Sequence, residues 1–166
     1  MGCIYCEGIF FPRDINKAIH YFQLAANQNK PKAQYSLGII YSDGKYITID
    51  IEKAIHYFTL AADQNMPESQ YSLGEIYKKG IYVPRDVNKA IRYYMLSSKQ
   101  NYPSALFSLG IIYYQGIFVP QDIEKAVHYM SLASDQNLPE ALYDLGVFYY
   151  DRKYTEVDID KAIHYF

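Results

Sequence analysis

A chain of 166 residues, half of them hydrophobic and a fifth charged, has the composition of a folded globular protein and excludes a disordered one. Its net charge of −2 offers no positive field for nucleic acid or an anionic membrane surface. No apolar run reaches the ~18 residues of a membrane span. The first residues lack a signal-peptide pattern, and two cysteines without an Asn-x-Ser/Thr sequon fit a reducing, cytoplasmic setting.

Self-similarity governs the rest. Gly2, Gly38, Gly74, Gly110 and Gly146 stand 36 residues apart, and Asp14, Asp50, Asp86, Asp122 and Asp158 keep the same step. So do Lys17, Lys53, Lys89, Lys125 and Lys161, each followed by alanine. No insertion breaks the register. One repeat domain is expected: a partial repeat over 1–30, full repeats over 31–66, 67–102 and 103–138, and a partial repeat over 139–166. Gly2 aligns with the middle of a first helix and Phe166 with the middle of a second. The sequence therefore reads as a segment of a longer array, or as one whose ends are covered by partners.

In chain order, the first repeat opens on Cys3 and Cys6. A C-x-x-C pair suggests redox or zinc chemistry. There is no second pair, however, and in register these cysteines replace Ile39 and Ser42, so they read as incidental thiols. The second repeat shows the module in full. Pro31 opens its first helix, where a missing N–H costs nothing. "KAQYSLGIIYS" carries the helix to about Ser42, Gly44 stops it, and a loop runs through Ile49. Asp50 is placed to cap the second helix, "IEKAIHYFTLAADQ", which is expected to end at Asn65. Asn29, Asn101 and Asn137 hold the same place, suited to a left-handed stop. A proline two residues on starts the next repeat. Ala33, Gly38, Ala54 and Ala61 allow close helix approach, while Leu37, Tyr41, Ile55, Phe58 and Leu60 supply bulk.

Candidate chemistry is thin. All four histidines (His20, His56, His128, His164) occupy one slot of "KAIHYF" and its variants, and Arg92 fills that slot in the third repeat. Rings spaced one helix pair apart, on the order of 10 Å, cannot converge on one metal ion. The expected reading is a solvated basic stripe, with no metal and no cofactor. "SDGK" at 42–45 matches the Ser-x-x-Lys fragment of some hydrolases, but companion motifs are missing.

The pattern "AQYSLGIIYSDG…DIEKAIHYFTLAADQN" resembles the Sel-one-like repeat, a relative of the tetratricopeptide repeat. The matching positions are Ala33, Tyr35, Leu37, Gly38, Tyr41, Gly44, Asp50, Lys53, Ala54, Tyr57, Phe58, Ala61 and Ala62, and they recur along the whole chain. Departures include Tyr46, Tyr82, Phe118 and Tyr154 where a second loop glycine is common, tyrosine for tryptophan at 57, and Arg152 in place of Gly44. The resemblance implies an all-α, right-handed superhelix of antiparallel helix pairs, with first helices lining the concave surface. Some secreted relatives are linked to β-lactam binding, but those carry a disulfide in each repeat, which this chain lacks.

Helical-wheel arithmetic puts positions 33, 37, 40 and 41 together as the repeat-invariant apolar set. A second face varies between repeats: Tyr35, Ile39 and Ser42; then Tyr71, Glu75, Lys78 and Lys79; then Phe107, Ile111, Tyr114 and Gln115; then Tyr143, Val147 and Tyr150. A scaffold leaves such positions open for recognition, and tyrosines suit interface anchors. Tyr35, Tyr71, Phe107 and Tyr143 have a competing role packing between neighbouring helices. The expected function is a non-enzymatic scaffold binding a protein or peptide on this face. Self-association through uncapped ends is the alternative, and a small-molecule binder or hydrolase the remote one.

Overall fold

The computed structural model describes residues 14–150. Cys3, Cys6, Arg152, Tyr154, Asp158, Lys161 and His164 lie outside the described residues. Within them are eight helices and no strand. They are α1 (Ile15–Asn27), α2 (Pro31–Asp43), α3 (Ile51–Ala62), α4 (Pro67–Lys79), α5 (Val87–Ser98), α6 (Pro103–Gln115), α7 (Ile123–Ser134) and α8 (Pro139–Tyr150). The chain forms two compact units divided after Pro84. In the first, α1 packs on α2, α2 on α3 and α3 on α4; in the second, α5 packs on α6, α6 on α7 and α7 on α8.

The ends of these helices follow from single residues. Asp14, Asp50, Asp86 and Asp122 accept a hydrogen bond from the backbone N–H of the lysine three positions on, at 3.1, 3.1, 2.8 and 2.9 Å. Each satisfies one of the orphan donors of a helix start. Gly44, at φ 67°, closes α2 in the left-handed region, where a side chain would also meet Ile49 at 2.9 Å. The second helices stop earlier than the sequence suggests. The α-helix ends at Ala62, and a turn, not helix, carries the chain to Asn65. The cause is Asn65 itself, at φ 61°. Its N–H donates to the Ala62 carbonyl and that of Met66 to the Ala61 carbonyl, a Schellman closure. Asn29, Asn101 and Asn137 repeat the geometry at φ 59°, 57° and 57°.

Inside the first unit the tightest contact joins α2 to α3. A Cβ built on Gly38 would lie 2.5 Å from two ring carbons of Phe58. The ring is itself buried, among Ala33, Leu37, Ala54 and Ala61 on the same two helices. In the second unit the corresponding pair is Gly110 and Met130, where a Cβ would lie 2.7 Å from Met130 Cγ. Buried polar side chains are the feature that periodicity did not reveal. Gln34 and Gln70 are almost wholly buried, and their amides donate to the Ala26 and Ala62 carbonyls near the ends of α1 and α3. Gln34 also accepts from Gln64 Nε2 at 2.7 Å and donates to Asn29 Oδ1 at 3.3 Å. Leu106 takes this register position in the second unit and packs with Ala133 and Ala141. Ser69 is fully buried, and its hydroxyl has no hydrogen-bond partner among the described residues.

Two stability outcomes are expected. Gly38→Ala gains about 1 kcal/mol of helix propensity but forces the buried Phe58 ring aside, an overpacking cost of about 1–3 kcal/mol. The net effect is a lower urea midpoint. Gly110→Ala meets a flexible methionine and lowers the midpoint less, and Phe58→Met added to Gly38→Ala recovers part of the loss. Ser69→Ala installs the residue found at 33, 105 and 141, removing an unsatisfied buried hydroxyl. It raises stability by about 1 kcal/mol, read as a higher urea midpoint at unchanged m-value.

Candidate partner-binding face

The first unit contains a groove of about 320 Å³ beside the exposed side of α2. Ile39 and Ser42 of α2 form one wall, and Ile51 and Phe58 of α3 reach its floor. The other wall is Tyr71, Ser72, Glu75, Ile76 and Lys79 of α4, with Ile81 and Tyr82 of the following loop at the lip. Five residues singled out from sequence, Ile39, Ser42, Tyr71, Glu75 and Lys79, therefore meet in one depression. Ile81 and Tyr82 come from a loop to which helical periodicity does not apply. They are 71% and 57% exposed, and the available signal was their apolar character between Gly80 and Pro84.

The first-unit polar groups are mutually organised. Glu75, with its side chain only 19% exposed, holds Lys78 Nζ at 2.7 Å and Lys79 Nζ at 3.2 Å. Both ammoniums thus contact the same carboxylate, and Lys79 lines the groove beside it. Ser42 Oγ donates to the Ile39 carbonyl at 3.1 Å, while Lys45 Nζ lies 5.3 Å from the centroid of the Tyr46 ring. The serine and lysine of "SDGK" thus engage different partners. Tyr35 is half-buried and tilts against Phe58 at 5.7 Å between centroids, so it packs the α2–α3 contact.

In the second unit the residues of the same face divide. Phe107 is half-buried against the Leu106, Ala133 and Ala141 cluster. Ile111 and Tyr114 are half-buried, and Gln115 is exposed. Tyr114 lends its carbonyl to Gln121 Nε2 at 2.7 Å, which ties the loop back to α6. On α8, Tyr143, Val147 and Tyr150 are 62%, 40% and 70% exposed, whereas Ala141, Leu145 and Phe148 on its other side are buried. Asp144, between Tyr143 and Val147, is partly buried, and that burial holds its carboxyl above the ordinary carboxylate pKa.

Away from this face, two of the capping aspartates, Asp50 and Asp122, also serve a second purpose. Asp50 Oδ2 and Asp122 Oδ2 lie 2.7 Å from Lys53 Nζ and Lys125 Nζ. Those ammoniums sit 5.3 and 5.4 Å from the ring centroids of Tyr41 and Tyr113. The rings in turn stack on Tyr57 and Tyr129 with 6° between planes. Lys53 and Lys125 are thus built into a carboxylate–ammonium–tyrosine ladder. His20, His56 and His128 remain exposed, each against the tyrosine that follows it. Among the described residues no group of three or more His, Cys, Asp or Glu side chains is placed to hold a metal ion. No helix among them is long and apolar enough to cross a membrane.

The ladder predicts an acid limb. The Lys53 ammonium, and then its backbone N–H, hold the Asp50 carboxyl below its ordinary value of 3.8, and Lys125 does the same for Asp122. A depressed carboxylate contributes stability that is present above its unfolded pKa and is lost as pH falls through the lower folded value. Asp50→Asn keeps a competent capping oxygen but no charge. Its urea midpoint at pH 7 falls only slightly, and its further decline between pH 5 and pH 2 is shallower than that of the unaltered chain.

With the helix pairs, their 36-residue step and the variable face described, the class is an α-solenoid of repeated helix hairpins. The Sel1 repeat pattern matches residues 1–30, 31–66, 67–102, 103–138 and 139–166. The chain belongs to the Sel1 repeat family. Among solved structures it is similar to a Sel1 repeat protein from Oxalobacter formigenes, with 29% identity and a TM-score of 0.91 over 99% of this chain and 67% of that one. It is also similar to c5321, a protective antigen of uropathogenic Escherichia coli strains displaying an SLR fold, with 27% identity and a TM-score of 0.91 over 99% of this chain. The chain spans only 35% of that antigen's length. Helicobacter pylori cysteine rich protein B matches 81% of the chain at 26% identity and a TM-score of 0.61. No curated protein matches the chain.

Proposed function

We propose that this chain is a non-enzymatic interaction scaffold that binds a protein or peptide along the variable face of its first helices. The observation that carries this reading is the stripe on α8. Tyr143, Val147 and Tyr150 recur at i, i+4 and i+7, so they share one side of the helix, and all three are exposed. Ala141, Leu145 and Phe148 are buried on the other side of the helix. Exposed apolar surface of this kind marks interaction sites, and tyrosine offers large contact area with few torsions to immobilise. Membership of a family of repeat scaffolds supports the same reading.

Random peptides displayed on phage and selected on the full chain provide the test. Tyr150→Ala is expected to weaken the selected peptides on the order of tenfold, as for an interface anchor. Glu124→Ala, on the exposed side of α7, leaves them unchanged. If Tyr143→Ala and Tyr150→Ala both leave every selected peptide bound as before, the α8 stripe is not the recognition surface.

A further inference from the structure

Within the scaffold reading just proposed, on which this inference rests, we infer that the α8 face takes a basic peptide, one that sets Arg or Lys beside an apolar side chain. Glu140 and Asp144 stand four positions apart and border the stripe of Tyr143, Val147 and Tyr150 along one edge. α8 itself carries no lysine, arginine or histidine to answer them. Asp144 is the departure from the repeat. The same register position holds Ser36, Ser72 and Ser108 in the preceding repeats. Ser36 and Ser72 are satisfied within their own helices, donating to the Lys32 and Glu68 carbonyls at 2.9 Å each. An ionised carboxylate only accepts hydrogen bonds and cannot make that bond. Asp144 also lies in the second turn of α8, beyond the first-turn reach of the helix dipole.

The charge on this face selects the partner. Asp144 has no hydrogen-bond or ion-pair partner among the described residues, and its partial burial already disfavours the charged form. A cation brought by a partner relieves that cost with a charge-assisted hydrogen bond. An acidic peptide meets two like charges instead, and a purely apolar one buries the carboxylate further with nothing to pair it. The stripe suits the same chemistry. Tyr150 is 70% exposed, and a tyrosine ring face attracts an ammonium or, better, a planar guanidinium. With a net charge of only −2, the chain exerts little long-range pull on a basic peptide. The attraction is therefore local, and it weakens with salt.

The phage selection on the full chain tests this directly. Peptides enriched in Arg or Lys next to Leu, Ile, Phe or Tyr are expected. Fluorescence anisotropy on synthetic copies should show a loss on the order of tenfold with Asp144→Ser, and a smaller loss with Glu140→Ser or with added salt. Asp144→Ser installs the residue that the chain already carries at 36, 72 and 108, and circular dichroism verifies its fold. Should that variant misfold, Asp144→Asn, which keeps the shape and removes the charge, replaces it with the same expected loss. Selected peptides that are neutral or acidic overturn the inference, as do basic ones that bind the Asp144 variants unchanged. If such peptides still weaken with Tyr150→Ala, the α8 face stands as the recognition surface and only its charge selectivity falls. A selection that yields no peptide, or peptides indifferent to Tyr143→Ala, Tyr150→Ala and the Asp144 variants, overturns both readings.

Discussion

The fold depends on the distance at which two helices touch through Gly38 and Phe58. A hydrogen is all that fits between the α2 backbone and the ring, since even a methyl group would lie 2.5 Å from ring carbons. That approach brings Leu37, Ala54 and Ala61 into one buried layer. It also fixes the spacing of the sequence. Gly38 and Phe58 are 20 positions apart, as are Gly110 and Met130. One residue added within the second helix before the ring would turn it by about 100° and carry it off the glycine. An unbroken 36-residue step is the one-dimensional record of this contact.

The loop must therefore be held to length, and the aspartate does this. Its carboxylate caps the second helix, while its backbone N–H reaches the last turn of the first: Asp50 to the Tyr41 carbonyl at 2.9 Å, Asp122 to Tyr113 at 3.1 Å. The lysine three residues on then closes over the same tyrosine. One residue thus joins helix start, helix end and loop. With both ends of the loop pinned, its tip is released from structural duty.

How much of this was legible follows from which contacts are periodic. Helix caps, the asparagine stop and the small-residue seam recur in every repeat, so register alone exposes them. Gln34 and Gln70 were not legible, because a wheel marks apolar sides, and these buried amides answer the orphan carbonyls of Ala26 and Ala62. The early end of α3 was missed for a related reason. Composition identifies Asn65 as the stop but not the three-residue turn its backbone conformation requires. Helical periodicity gathered Ile39, Ser42, Tyr71, Glu75 and Lys79 as members of one face. It could not show that they enclose a depression, which depends on how α2, α3 and the loop after α4 sit in space.

The same division separates the cap pairs that every repeat keeps from the ion pairs of α4. The ion pairs of the caps, such as Lys53 with Asp50, are exposed and carried by residues that every repeat keeps. The pairs of Glu75 with Lys78 and Lys79 involve positions where the second, fourth and fifth repeats carry isoleucine or valine, serine or tyrosine, and aspartate or glutamine, and the first carries Cys3, Cys6 and Glu7. Ser42 is replaced by Tyr114 two repeats later, and Gly110 still meets Met130 there. A change at 39, 42, 75 or 79 reshapes the groove wall and leaves Gly38 itself untouched. A change at 38 acts on stability first, whereas one at 58 alters both the glycine contact and the groove that Phe58 lines.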